Sequence, residues 1–137
     1  MIWSIAQLAY LAGIIDGEGT FYIGKINHRK FTSRIYVVNT DKKLIDWLHK
    51  NFNGSFYERN SIKHPHWKTR YEWILDKAQI DSVCKKILPF LIIKKKHAEL
   101  MINFRQTFTP HKRPRISNEI LDFRNECHAK LKKLNHR

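Results

Sequence analysis

The sequence predicts an α+β fold of order αββαββα, in which an antiparallel four-stranded sheet is covered by helices on one face and further helices follow at the C-terminus. Three observations carry this reading. Apolar residues switch between helical and strand periodicity along successive segments. The strand-like segments come in two pairs, each joined by a polar stretch. The 137-residue chain also carries 26 Lys and Arg against 12 Asp and Glu, a formal charge of +14. Two hairpins in one sheet cannot bury both faces unaided, so helices should cover one face and leave the other, basic and open, to solvent.

In residues 5–15 the apolar Ile5, Leu8, Leu11, Ala12 and Ile15 recur at helical spacing, and Gly17 with Gly19 ends the run. Residues 20–26 and 34–38 are rich in aromatic and β-branched side chains, with a hairpin connection at 27–33. Asn39, Thr40 and Asp41 offer capping side chains to a second helix carrying Leu44, Ile45, Leu48 and Phe52, which Asn53 and Gly54 stop. Residues 55–59 and 70–75 form another strand pair around a basic loop containing Lys63, His64, Pro65, His66 and Lys68. A third helix with Val83, Cys84, Ile87 and Leu88 closes at Pro89, since a proline disfavours helix through the residue before it. An apolar run at 90–93 and a basic helix through Phe108 follow. Pro110 and Pro114 bracket a basic linker, and Ser117 caps a last helix carrying Ile120, Leu121, Arg124, Cys127, Leu131 and Leu134. A chain of this length buries one core and not two. We therefore expect a single domain, residues 1–137, made of a core with its following helix (1–108) and a C-terminal linker and helix (109–137).

Hydrophobic residues at 42% exclude a disordered chain, and charged residues at 28% exclude a membrane protein. The charge calls for a polyanion, and its spread from Lys25 onward suits nucleic acid better than a membrane surface. Cys84 and Cys127 stand far apart without metal-ligand spacing and read as buried thiols. No cleavable signal or long apolar run is present, which reads as an intracellular protein, in a bacterial or phage cytoplasm or an organelle matrix.

Residues 11–19 read Leu-Ala-Gly-Ile-Ile-Asp-Gly-Glu-Gly. Ala9, Gly13 and Gly17 lie four apart and form a small-residue stripe on one helix face, along which two such helices can approach backbone to backbone. Glycine inside a helix costs about 1 kcal/mol relative to alanine, so Gly13 points to a packing requirement. Asp16 and Glu18 fall at the helix C-terminus, where the macrodipole disfavours a carboxylate and favours a cation. Asp16 suits a structural role, capping or hydrogen-bonding near the turn. Two copies of the helix would bring two Glu18 carboxylates together beside outward-pointing carbonyls, Gly17 among them, an oxygen set that suits Mg²⁺ or another divalent cation such as Mn²⁺.

The segment resembles the LAGLIDADG signature of homing endonucleases at seven of nine positions, counting Ile14 for Leu as conservative, with Gly17 for Ala and Glu18 for Asp. The resemblance implies a magnesium-dependent, intron-encoded DNA endonuclease. Its single copy of the motif implies a homodimer reading a long pseudo-palindromic double-stranded site. It further implies that Lys94, in a stretch similar to the family's Pro-x-Leu-x-x-Lys segment, lies near the metals and stabilises charge on phosphate, and that Asn39 positions hydrolytic water. Asn39 is equally readable as a helix cap, and Lys42 or Lys43 supplies a nearby positive charge.

By strand alternation Phe21, Ile23, Ile35, Val37, Tyr71 and Trp73 face the helices. Thr20, Tyr22, Thr32, Arg34, Tyr36, Tyr57, Arg59, Arg70 and Glu72 then face outward toward a DNA groove, where Arg suits guanine and Glu a cytosine amine. The loop residues His28, Arg29, Lys30, Lys63 and Lys68 suit phosphates. Two further readings stand beside the nuclease: an RNA-binding intron maturase and a DNA-binding regulator without catalysis.

Overall fold

The computed structural model describes residues 2–108 and 116–136, so the linker between Pro110 and Pro114 lies outside the described residues. The elements run α1 (Ile5–Glu18), β1 (Gly19–Lys25), β2 (Phe31–Asn39), α2 (Lys42–Phe52), β3 (Ser55–Arg59), β4 (Arg70–Asp76), α3 (Ala78–Ile87), a 3-10 turn (Leu88–Phe90), α4 (Lys95–Arg105) and α5 (Asn118–Asn135).

α1 opens with a reciprocal cap: Gln7 N donates to Ser4 Oγ and Ser4 N donates to the Gln7 side chain. Its inward face carries Leu11, Ala12 and Ile15, all fully buried. The sequence expectation ended this helix near Gly17, but the chain stays helical through Glu18 and passes straight into β1. No glycine stop is needed, because the last carbonyls of α1 are satisfied from another element, as described below. Gly19 is required for a different reason: a Cβ there would sit 2.8 Å from Ile15 Cα. Of the three capping candidates before α2, Asp41 is the N-cap, accepting from Lys43 N at 3.0 Å. At the far end of α2, Gly54 adopts φ +84°, and a Cβ would meet Ile74 O at 2.6 Å.

The two hairpins join through β2 and β4, giving one antiparallel sheet of order β1-β2-β4-β3. The register places Phe21 opposite Ile35, Ile35 opposite Leu75 and Val37 opposite Trp73. These side chains share the face covered by α1 to α4 and are fully buried. Each such side chain contributes roughly 1.5–3 kcal/mol by leaving water. β2 is longer than the sequence suggested because Phe31, Thr32 and Ser33 continue the pairing with β1 down to Lys25.

α5 packs along β1, the outer strand of the sheet, and against α4. An outer strand leaves carbonyls unpaired, and Asn135 answers one of them by donating its side-chain amide to Phe21 O at 2.9 Å. Cys127 and Leu131 enter the core beside the buried Arg124. Arg124 donates Nε to Thr107 Oγ1 and Nη2 to Thr107 O, both at 2.9 Å, and lies over the Phe108 ring at 3.8 Å. It latches α5 to the end of α4. Both cysteines are buried and unbonded to each other, and burial pushes the Cys84 thiol up to about 12.

Candidate active site and nucleic-acid interface

Three consecutive requirements meet where α1 ends. Asp16 is 8% exposed, and its carboxylate accepts from the backbone N–H groups of Ile92 (2.8 Å), Ile93 (3.1 Å) and Lys94 (2.9 Å). It thereby takes up donors just ahead of α4 and fills the structural role expected of it. The Lys94 side chain returns across the same junction, donating Nζ to the carbonyls of Ile15 (3.1 Å), Asp16 (3.2 Å) and Gly19 (2.7 Å). A cation on the last carbonyls of a helix offsets the negative end of its dipole. Glu18, two residues beyond Asp16, is exposed, as is Gly17.

Among the described residues no group of three or more His, Cys, Asp or Glu side chains gathers to hold a metal. A single chain offers one exposed carboxylate beside backbone carbonyls. Such an all-oxygen, incomplete set fits a hard cation that keeps waters and accepts phosphate oxygens, and does not fit a structural zinc.

The outer stripe of α1 is open. A Cβ added at Gly13 or Gly17 would meet nothing within 4 Å, so neither glycine is required by this chain's own packing. Ala9 beside them is exposed, and so are the larger Ile5, Tyr10, Ile92 and Ile93 around this face.

Asn39 lies at the end of β2, where its Oδ1 accepts from Asp41 N at 2.8 Å and turns the chain into α2. It lines an open groove of about 750 Å³ between α1 and α2, together with Tyr10, Lys43 and Trp47. Lys43 is thus the lysine beside Asn39. Lys42 instead pairs with Asp46 at 2.9 Å, a hydrogen bond and charge contact that raise its pKa.

The uncovered face of the sheet carries the side chains expected there. Register aligns Tyr22 with Arg34, Thr20 with Tyr36, Gly24 with Thr32, Tyr57 with Glu72, and Arg59 with Arg70. The Arg34 guanidinium lies 4.9 Å over the Tyr22 ring, and its Nε is buried without a hydrogen-bond partner among the described residues. A buried donor in that condition costs roughly 1–3 kcal/mol until an acceptor arrives. Arg59 sits 5.1 Å over Tyr57 and 3.8 Å from Glu72. At one end of this face Asn27 Oδ1 accepts from Arg29 N and Lys30 N, stiffening the loop that exposes His28, Arg29 and Lys30. At the other, Lys63 and Lys68 flank a tip on which His64 stacks on Trp67 at 4.0 Å. Sequence reasoning passed over Trp67, although a half-exposed tryptophan in a polar loop is itself a signal. Lys94's bonds to the end of α1 had no such signal, since its partners lie 75 to 79 residues away.

No protein-family model matches the sequence, and a search of curated proteins finds no match. Solved structures do match. The homing endonuclease I-CvuI, in complex with its target in the presence of calcium, superposes with a TM-score of 0.76 at 17% identity, covering 96% of this chain and 83% of that one. The archaeal intron-encoded homing endonuclease I-Vdi141I, complexed with DNA, gives 0.75 at 14% identity over 96% of this chain and 86% of that one. The LAGLIDADG homing endonuclease I-GzeII, in complex with its DNA target, gives 0.65 at 18% identity over 91% of this chain but 43% of that one. At these identities the likeness establishes the fold. No helix among the described residues is long and apolar enough to cross a membrane. The chain has the fold of the LAGLIDADG homing endonucleases, with its own Leu-Ala-Gly-Ile-Ile-Asp-Gly-Glu-Gly segment on the helix whose end presents Glu18.

Proposed function

We propose that this protein is a member of the LAGLIDADG family that acts as a homodimeric, divalent-metal-dependent endonuclease on a long, pseudo-palindromic double-stranded DNA site. The observation that carries the reading is the outer stripe of α1, where Gly13 and Gly17 face open space and run to an exposed Glu18. Glycine in mid-helix is destabilising by about 1 kcal/mol, and no contact within the chain offsets it, so a second copy of the helix is the natural occupant. The chain spans most of I-CvuI and I-Vdi141I but under half of I-GzeII, in keeping with one half of a two-fold assembly. The neighbours were solved on DNA, which agrees with a basic open sheet whose Arg34 Nε awaits an acceptor.

In a two-fold dimer the paired Glu18 carboxylates, with the Gly17 carbonyls, would hold the divalent cation. When bound, such a cation lowers the pKa of water and neutralises charge on the scissile phosphate. The chain's own residues do the rest. Asp16 fixes the angle between α1 and α4, so that Lys94 stays beside the turn, where its ammonium shares the developing phosphate charge. Asn39, already committed through Oδ1 to Asp41 N, has an amide NH₂ left to orient a water. Arg34, Arg59, Arg70 and Glu72 read base edges with Tyr22, Thr32, Tyr36 and Tyr57 around them, while His28, Arg29, Lys30, Lys63 and Lys68 hold phosphates.

The test is Glu18→Gln, which keeps size and hydrogen-bonding capacity and removes the charge. Magnesium-dependent nicking of a plasmid carrying the uninterrupted form of the encoding locus should vanish while a gel shift on the same DNA persists. Wild-type cutting rates in this variant would dismiss the metal assignment.

A further inference from the structure

α5 presents three faces. Arg124, Cys127 and Leu131 enter the core. Lys130 and Lys133 point away from the sheet and are exposed, Lys130 pairing with Glu126 at 2.7 Å. The remaining face carries Asn125, His128, Lys132 and Asn135 at spacings of three and four, and it lies along β1. Asn125 Oδ1 accepts from Lys25 Nζ at 2.7 Å at one end, and Asn135 is tied to Phe21 O at the other. Between them opens a groove of about 360 Å³ lined by Tyr22, His128, Lys132, Asn135 and His136. Tyr22 belongs to the uncovered sheet face, so the groove is continuous with the surface assigned to DNA.

Charge along α5 is segregated. Glu119, Asp122 and Glu126 occupy its first half, with the buried Arg124 bonded to Thr107, and Lys130, Lys132 and Lys133 its end, with His136 just beyond. Neither Lys25 nor Lys132 has a carboxylate within ion-pair distance among the described residues. The His128 imidazolium is disfavoured first by burial and then by Lys25 and Lys132, which agrees with a groove of positive charge. An anion entering there would relieve repulsion and gain donors from Lys132, His128, His136 and the Asn135 amide edge.

We propose that the groove between α5 and β1 is a phosphate site for the duplex lying on the open sheet, with Lys132 lining it and Lys25, held outside the lining by Asn125, adding its charge beside His128. The assignment rests on the nuclease reading and extends the DNA interface past the edge of the sheet onto the C-terminal helix. The competing role for Lys132 is to complement the negative end of α5, a role that Lys130 and Lys133 on the outer face would share.

The experiment compares wild type, Lys25→Gln/Lys132→Gln and Lys130→Gln/Lys133→Gln, two doubles that remove the same net charge. Binding to a fluorescein-labelled random-sequence duplex is followed across a salt series, alongside thermal unfolding. Each lost phosphate contact should flatten the slope of log K against log salt by about 0.9, and the two-fold dimer has one such site in each chain, so the groove double should be shallower by about 1.8 and the outer double should match wild type. A wild-type slope in the groove double, or equal flattening in both doubles, would overturn the phosphate site and leave the nuclease reading standing. Failure of the wild type itself to bind duplex would overturn both.

Discussion

Asp16, Gly17 and Glu18 are consecutive, yet the fold gives each a different task. Asp16 is buried under three backbone donors from the segment before α4, whereas Glu18 reaches solvent. Asp16→Ala would orphan those donors, and we expect a loss on the order of 3 kcal/mol, read by urea denaturation. Unchanged stability would mean that the α1–α4 junction is held by something other than this carboxylate. The motif assigns Asp16 a structural role near the turn, and its burial under three backbone donors agrees with that role. The bonds from Lys94 to Ile15, Asp16 and Gly19 were not legible. They depend on how the end of α3 and its 3-10 turn pass the end of α1, and no local pattern encodes that. The same contact explains why α1 outruns the stop expected at Gly17.

At the scale of elements, alternation assigned both faces of the sheet from residue identity alone. The period of two admits one register per buried face, and Trp73, Val37 and Ile35 leave no choice. Strand order was less accessible, since the meeting of β2 with β4 is set by tertiary packing between the hairpins. The C-terminal helix was readable as a helix from Ser117 and its apolar spacing, but its docking along β1 and the end of α4 was not, because that rests on one hydrogen bond from Asn135 to Phe21 and two from Arg124 to Thr107, all distant in sequence. Arg124 gives this element its own prediction. Arg124→Ala removes two hydrogen bonds to Thr107 and the stacking on Phe108, which should cost about 2 kcal/mol. Amide exchange in α5 should accelerate selectively while that in β2 and β4 keeps its protection. Uniform acceleration across the chain would mean that α5 does not open as a separate unit.

For the whole molecule, the reading turns on a second copy. The outer face of α1 combines glycines that the monomer does not need with exposed Ile5 and Tyr10, which a soluble monomer has no reason to group there. Gly13→Leu leaves the chain's own core untouched, since the added side chain points into open space, but it should hold the two α1 helices apart. Sedimentation should then report a folded monomer without cleavage activity, and an intact cutting dimer would refute the packing. The central claim is that one active site needs Glu18 from both copies, and mixing tests it most directly. Wild type and Glu18→Gln are unfolded and refolded together at fixed total concentration, and total strand scission, nicks included, is measured against the wild-type fraction. If the site is built from two chains, cleavage should fall as the square of that fraction; a linear decline would show that each chain cuts alone and would contradict the account.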